Sequence, residues 1–357
     1  MTHSALSRAE AFASTIGIRV PILLAPMAGA CPPTLSTAVA NAGGLGSCGA
    51  LLMSPDAIRQ WTAQVRTKTN GPFNLNLWIP DPAPVRDQTR EANVRAFLGK
   101  WGPSVPETAG DATPPDFTAQ CEAFLEATPA IISSVMGLYP APFVKRMKAK
   151  GIKWFANVST VIEALNAEAA GADVIVAQGM EAGGHRGCFD AAMAEAGMVG
   201  LFSLLPAVVD AVKVPVVATG GIADARGVAA ALLLGASAVQ IGTGFLRSPE
   251  AGLPAAWADA IGNARPEGTI VSRVFSGRAG RSIATAYALA ATSSGAPVPA
   301  PYPVQRALTQ AMRDAGTKFN DIDRMQAWAG QSGRMARVLP AAIIVDELWT
   351  GAKALLR

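Results

Sequence analysis

One stretch of the sequence carries the residue types best suited to chemistry. Residues 178–187 read Gln-Gly-Met-Glu-Ala-Gly-Gly-His-Arg-Gly and follow the apolar run Val174–Ala177. They contain His185, one of two histidines in the chain, and we expect the other, His3, to lie in a mobile N-terminal tail. Imidazole is the side chain that ordinarily gains or loses a proton near neutral pH. We therefore predict that His185 is a catalytic residue.

Two glycine-rich segments later in the chain suggest a binding site for phosphate. Thr219-Gly220-Gly221-Ile222 precedes a helix that we expect to start at Asp224, and Gln240-Ile241-Gly242-Thr243-Gly244 follows. Backbone N–H groups of glycine turns, a hydroxyl and a helix N-terminus together bind a dianion well. Tight turns without a ligand are the alternative interpretation, and the order of the two loops favours phosphate.

Apolar runs alternate with helical patterns along the chain, which predicts a (β/α)₈ TIM barrel. In such a barrel the chemistry lies at the C-terminal ends of the strands. The predicted strands are Val20–Met27, Leu45–Ala50, Phe73–Trp78, Ala130–Gly137, Lys153–Ser159, Val174–Gln178, Pro215–Gly220 and Ala238–Gly242.

The remaining segments predict an addition to this barrel. Residues 246–331 mix short helical patterns with Gly and Pro, and we expect them to form a smaller, mainly helical cap inserted after the eighth strand. Met335–Leu356 has the spacing of a final barrel helix. The barrel would thus comprise residues 1–245 and 332–357. Residues 79–118 are predicted to form an excursion between the third and fourth strands.

The predicted strand ends carry few carboxylates, which disfavours hydrolysis of the glycosidase type. Asn76 and Gln178 each end a strand with an amide that suits the edge of a heterocycle, although capping a loop is the alternative. Ala25-Pro26-Met27-Ala28-Gly29 ends the first strand with a backbone poor in donors. This segment would suit a flat ring, or it is simply a strand and a turn.

Composition excludes several classes of protein. The formal net charge is +4, without a dominant basic run, so nucleic acid is not an expected partner. The four cysteines show no metal-ligand spacing, and no metal site is predicted. No signal peptide or membrane span is visible. We expect a cytoplasmic protein with reduced thiols.

Taken together, these segments resemble the nitronate monooxygenase (2-nitropropane dioxygenase) family, in its bacterial, class I-like branch. The Glu-Ala-Gly-Gly-His loop and the late Tyr-Pro-Val-Gln and Trp-Ala-Gly-Gln pieces are its most specific parts. The matching segments are Ala25–Gly29, Pro72–Leu77, Ala177–Gly187, Ala218–Ala223, Gln240–Thr243, Phe275–Arg278, Tyr302–Gln305 and Met325–Gln331.

The resemblance implies an FMN-dependent oxidoreductase that converts a nitronate or nitroalkane and O₂ into a carbonyl compound and nitrite. It implies that His185 is the catalytic base, when neutral, or the nitronate-binding imidazole, when cationic. Tyr302 is a tentative substrate contact or a cap-packing residue, and a homo-oligomer is possible. The implied FMN contacts are Pro26, Met27, Asn76, Gln178, Gly183, Gly184, Gly220, Gly221, Gln240, Ile241, Gly242 and Thr243.

Two segments depart from the family pattern. Residues 80–118 are longer and richer in proline than the family pattern predicts, and Ser133–Gly137 fits that pattern only loosely.

Three other functions stay open. A flavin-dependent NAD(P)H enoyl-acyl-carrier-protein reductase would have a similar barrel and Gly-Gly-His loop. A non-flavin phosphate-binding barrel and a non-catalytic flavin-binding barrel are the other two. The segments Tyr302–Gln305 and Trp328–Gln331 favour the monooxygenase.

Overall fold

Eight parallel strands form a barrel in the computed structural model, which describes residues 4–357. His3 and its predicted tail lie outside the described residues. Each strand pairs with its neighbours in the chain, and the first and second strands meet where Leu24 N donates to Leu45 O over 2.9 Å. The predicted TIM barrel is confirmed. Its strands are Ile22–Leu24, Gly46–Gly49, Phe73–Trp78, Ile131–Val135, Lys153–Val158, Val174–Gln178, Val216–Thr219 and Ala238–Ile241.

The helices that follow these strands surround the barrel. The last of them begins at Ala341 rather than at the predicted Met335, because Pro340 disfavours helical backbone in the residue before it. The barrel helices are Pro33–Asn41, Pro55–Arg66, Phe117–Ala127, Ala141–Ala149, Val161–Ala169, Leu201–Ala211, Ala225–Leu233 and Ala341–Leu355. The other helices are Ala5–Thr15, Gln88–Leu98, Ala255–Asn263, Ala286–Ala291, Val304–Leu308 and Gln310–Lys318.

Local sequence signals set several helix starts. Thr160 and Glu163 form a capping box, in which Glu163 N donates to Thr160 Oγ1 and Ser159 N donates to Glu163 Oε2. The second carboxylate oxygen of Glu163 accepts from Phe189 N at 2.7 Å. One buried carboxylate therefore joins the helix after the fifth strand to the loop after the sixth.

Apolar side chains close the end of the barrel opposite the predicted chemistry. Phe12 and Ile16, at the end of the helix Ala5–Thr15, pack with barrel-interior residues such as Phe155 and Val174. The rings of Phe12 and Phe155 are 6.3 Å apart. Water is thus excluded from this end, and ligands must enter from the C-terminal ends of the strands.

The segment after the eighth strand contains a β-hairpin, which the prediction of a mainly helical cap missed. Thr269–Ser272 and Gly280–Ile283 pair antiparallel, and Gly184–His185 from the sixth barrel loop adds a third strand. Helix Gln88–Leu98, from the predicted excursion, packs into the apolar cluster of this segment. The excursion therefore supports the cap. The boundaries 246 and 331 stay a prediction.

No helix among residues 4–357 combines the length and the apolar character needed to cross a membrane.

Gly183 marks the closest approach between the sixth barrel loop and the chain that returns from the cap. A Cβ atom at this position would lie 2.5 Å from Gly330 N and 2.6 Å from the carbonyl carbon of Ala329. These are backbone atoms, so the contact has no flexible side chain that could move away. Gln331 N also donates to Glu181 O at 3.0 Å, which fixes the two segments against each other.

We expect Gly183→Ala to lower the free energy of unfolding by about 1–3 kcal/mol, because overpacking forces backbone apart. Gly295→Ala is the matched control, since nothing lies within 4 Å of a Cβ built there. Urea unfolding followed by circular dichroism measures both variants. Equal midpoints for the two variants would show that the loop and the returning chain are not tightly packed.

Candidate active site

A cavity opens at the C-terminal ends of the barrel strands, beneath the cap. It is lined by most of the residues that the sequence predicted, with two exceptions. Ile241 is buried in the core between barrel and helices, because alternate residues of a strand face opposite sides. Tyr302 is not on the cavity wall, and its ring lies against Trp78 of the third strand. The predicted residues on the wall are Pro26, Met27, Asn76, Gln178, Gly183, Gly184, His185, Gly220, Gly221, Gln240, Gly242 and Thr243.

His185 lies on the strand that joins the barrel to the cap hairpin. It pairs with Gly280, and the next residue continues the ladder because Arg186 N donates to Ala279 O at 2.9 Å. The imidazole lies edge-on between two indoles, with ring centroids 4.6 Å from Trp78 and 4.7 Å from Trp328. This packing fixes the ring at the cavity wall.

The surroundings of His185 favour the neutral imidazole. Burial lowers the pKa of His185 to about 3, and the nearby positive charges of Arg278, Arg306 and Arg313 add to the shift. The ring therefore carries no charge near neutral pH. Of the two states that the sequence left open, the structure favours the one that accepts a proton over the cation that binds an anion.

Ser276 determines which nitrogen of His185 is available. Its hydroxyl lies 2.7 Å from Nε2, 3.2 Å from Arg278 O and 3.3 Å from Arg278 N. When Oγ donates to the Arg278 carbonyl, it accepts from Nε2–H, and Nδ1 then carries the lone pair. Among residues 4–357, Nδ1 has no hydrogen-bond partner. This arrangement leaves Nδ1 as the basic nitrogen.

Gln178 holds the loop that carries His185. Its Nε2 donates to His185 O at 3.1 Å, and its Oε1 accepts from Gly187 N at 2.7 Å. Both ends of the amide therefore contact the loop, as the capping alternative proposed. One Nε2 hydrogen remains for a ligand in the cavity, so the predicted flavin contact stays a prediction.

Two charged residues beside this loop are structural. The guanidinium of Arg186 is buried and donates to Gly179 O at 2.7 Å and Gln178 O at 3.2 Å. The carboxylate of Glu181 accepts from Leu201 N at 2.9 and 3.0 Å, at the start of helix Leu201–Ala211. A negative charge there also complements the helix dipole. The sixth loop is thus anchored from both sides.

The two glycine loops present backbone N–H groups to the cavity. Gly220 and Gly221 have φ values of 110° and 69°, which only glycine adopts readily. Within the described chain, neither N–H donates to a protein acceptor. Asp224 accepts from Gly227 N at 3.1 Å and caps helix Ala225–Leu233 beside them. In the second loop, Thr243 Oγ1 accepts from Gly330 N at 2.9 Å, which leaves its hydroxyl hydrogen to donate.

Amides on the cavity wall offer both kinds of hydrogen-bonding group. Asn76 Nδ2 donates to Ser133 Oγ at 2.9 Å and to Ser133 O at 3.3 Å, so its carbonyl oxygen is the group left for a ligand. Asn157, which was not predicted as a site residue, has a buried Nδ2 without a partner among residues 4–357. The carbonyl oxygen of Asn76 and the remaining Nε2 hydrogen of Gln178 therefore offer an acceptor and a donor to a heterocycle.

Several functional candidates were missed by the sequence interpretation. Trp78 and Trp328 were not predicted as site residues, and both line the cavity beside His185. Arg306 also lines it, and Ser276 contacts His185 from the cap. The signals were present, since Ser276 lies in the Phe275–Arg278 segment and Arg306 follows Tyr302–Gln305. The ring of Tyr302 is tilted by 37° against that of Trp78, with centroids 5.4 Å apart, and a substrate contact stays a prediction.

Comparisons with known proteins agree with this geometry. The family model described as nitronate monooxygenase matches residues 10–351. A nitronate monooxygenase of Paraburkholderia phytofirmans is 37% identical over 343 residues, which cover 93% of this chain and 92% of that protein. The structure of nitroalkane oxidase from Streptomyces ansochromogenes has a TM-score of 0.87 and 34% identity, covering 97% of this chain and 100% of that one.

A more distant likeness is to FabK from Thermotoga maritima, with a TM-score of 0.74 and 26% identity, covering 100% of this chain and 98% of that one. The family match and the relative from Paraburkholderia both extend over nearly the whole chain. The neighbours in the family are flavoenzymes, which implies a flavin. The chain therefore belongs to the nitronate monooxygenase family of oxidoreductases.

Proposed function

We propose that this chain is an FMN-dependent nitronate monooxygenase that converts alkyl nitronates, with O₂, into a carbonyl compound and nitrite. The observation that carries the proposal is a neutral imidazole, His185, between two indoles in a cavity that is also lined by Gly220 and Gly221, whose N–H groups have no partner in the described chain. A base and a site for a phosphate dianion thus share one cavity. Family membership supports the same reaction.

The residues of the cavity fit FMN. The N–H groups of Gly220 and Gly221 and the hydroxyl of Thr243 would hold the phosphate, as helix N-termini and glycine turns commonly do. Pro26 and Met27 would lie against the ring, and Asn76 and Gln178 would offer an acceptor and a donor to its edge. A Cβ on Gly242 would approach Met27 Sδ to 3.2 Å, so a larger residue there would displace Met27. When bound, FMN supplies the redox chemistry.

His185 performs the proton chemistry in this proposal. With Nε2–H donating to Ser276, Nδ1 accepts the α-proton of a nitroalkane, or stays neutral beside a nitronate that has already lost it. Trp78 and Trp328 exclude water from the ring and keep its orientation. The neutral form of the imidazole is therefore favoured over a wide pH range.

The test is the absorbance spectrum of the purified protein, followed by nitrite release from propionate 3-nitronate. We expect bound FMN and nitrite formation in wild type, and His185→Asn should retain FMN while turnover falls about 10²–10⁴-fold, the range for loss of a general base. The control variant is Gln64→Glu, at an exposed position away from the cavity. Gln326 is not used for the control because it lines the cavity.

Three outcomes would contradict this proposal. Anaerobic NADPH that rapidly bleaches the flavin would support an enoyl-acyl-carrier-protein reductase. A colourless protein that takes up no FMN would support a non-flavin phosphate barrel. Bound FMN without nitrite from any nitronate would support a non-catalytic flavin-binding protein.

The phosphate site has its own test at Gly221. We expect Gly221→Asp to lose FMN, because a carboxylate would repel the phosphate beside it. Gly221→Ala is the control for the positive φ of 69°, since it adds the same backbone strain without the charge. The flavin content of both variants is measured after heat release. Equal flavin content in the two would place the phosphate elsewhere.

Some further predictions accompany this proposal. Three of them rest on the family resemblance: that O₂ is the oxidant, that Tyr302 contacts the substrate, and that the protein forms a homo-oligomer. The cytoplasmic location is supported by four buried cysteines that form no disulfide. A division into a barrel of residues 1–245 and 332–357 and a cap of residues 246–331 is supported by the separate apolar cluster of the cap.

A further inference from the structure

Arg306 brings a positive charge to the cavity. It lies on the short helix Val304–Leu308 of the cap and lines the same cavity as His185. Within the described part of the chain, its guanidinium donates no hydrogen bond and makes no ion pair. Among the side chains that line the cavity in residues 4–357, it is the only one that is charged when His185 is neutral.

The other buried arginines of this region contact protein acceptors. Arg186 donates to backbone carbonyls, and Arg281 donates to Met180 O at 3.0 Å. Arg278 lies 3.1 Å from Asp81 in an ion pair, while its Nη1 and Nη2 are buried and make no hydrogen bond within residues 4–357. Arg313 donates to Gln326 Oε1 at 3.1 Å. Arg306 differs because it is half-buried on the cavity wall and has no protein partner in the described chain, so its guanidinium is free to bind a ligand.

The backbone that carries Arg306 is held in place. Arg313 Nη2 donates to Arg306 O at 2.9 Å, and Arg313 Nε donates to Thr309 Oγ1 at 3.1 Å. Burial lowers the pKa of Arg306, which shows how much water the guanidinium has lost, yet an arginine keeps its charge near neutral pH. The backbone of Arg306 is therefore held in place, and its side chain is a partly desolvated cation on the cavity wall.

The guanidinium of Arg306 is suited to bind an anionic group that has two oxygens. A guanidinium is a planar fork that binds a carboxylate, or a group of the same shape, through two parallel hydrogen bonds. A nitronate has such a pair of oxygens, and so does a carboxylate at the far end of a substrate. We propose that Arg306 binds the anionic group of the substrate, so that this pocket selects anions while His185 handles the proton.

This inference rests on the proposed function, and two nitronates identify the anionic group. Propyl-1-nitronate carries only the nitronate group, and propionate 3-nitronate adds a carboxylate. We expect Arg306→Gln to lower kcat/KM by about 10- to 100-fold, mainly through KM, since a hydrogen bond to a charged group contributes about 1.5–3 kcal/mol. Arg306→Lys keeps the charge without the fork and should lose less.

The control variant is Lys318→Gln, which removes the same charge from an exposed position on helix Gln310–Lys318. A loss with both nitronates would show that Arg306 binds the nitronate group, and a loss with propionate 3-nitronate alone would show that it binds the carboxylate. Either result supports the proposal. Unchanged kcat/KM with both substrates, or an equal loss in Lys318→Gln, would overturn it.

A binding measurement separates this proposal from the proposed function. Propionate is titrated into the oxidised holoenzyme, and the change in flavin absorbance gives its Kd. We expect Arg306→Gln to raise that Kd about tenfold or more. Weaker anion binding in the variant would support Arg306 even if the wild type formed no nitrite. Nitrite formation with equal propionate binding in both proteins, or no binding in wild type, would count against Arg306 alone.

Discussion

The pairing of Gly184–His185 with Gly280–Arg281 is the constraint on which the active site depends. It makes a barrel loop part of the cap sheet, so the catalytic imidazole is held by backbone from both. Gln178 fixes the same loop from the barrel side, and Ser276 contacts the ring from the cap side. Without this pairing, the loop after the sixth strand would be a surface segment, and its histidine would titrate like any other.

The same constraint assigns proton transfer and anion binding to different residues, although a histidine could perform both. Between Trp78 and Trp328, and near several arginines, His185 is neutral and suited to proton transfer. The positive charge that an anionic substrate needs then has to come from elsewhere, and Arg306 is placed to supply it. A neutral imidazole and a cation in one cavity fit the binding of an anion and the handling of its proton.

The barrel could be predicted from sequence because its signals are local. Phe73–Trp78 and Val174–Gln178 were predicted with the bounds that the structure shows, since both are apolar runs between clear breaks. The glycine loops and Asp224 followed from turn and capping chemistry. The cap sheet was missed because Gly184–His185 pairs with residues far along the chain. Arg306 was missed because only the folded cavity distinguishes it from a surface arginine.

The protonation of His185 tests the central claim most directly. The chain contains only two histidines, so ¹⁵N-histidine labelling of the holoenzyme gives two imidazole signals, and a His3→Gln variant assigns them. The account predicts that His185 keeps the shifts of one neutral tautomer between about pH 5 and 8. A titration of His185 with a midpoint near its ordinary value of about 6.5 would contradict it.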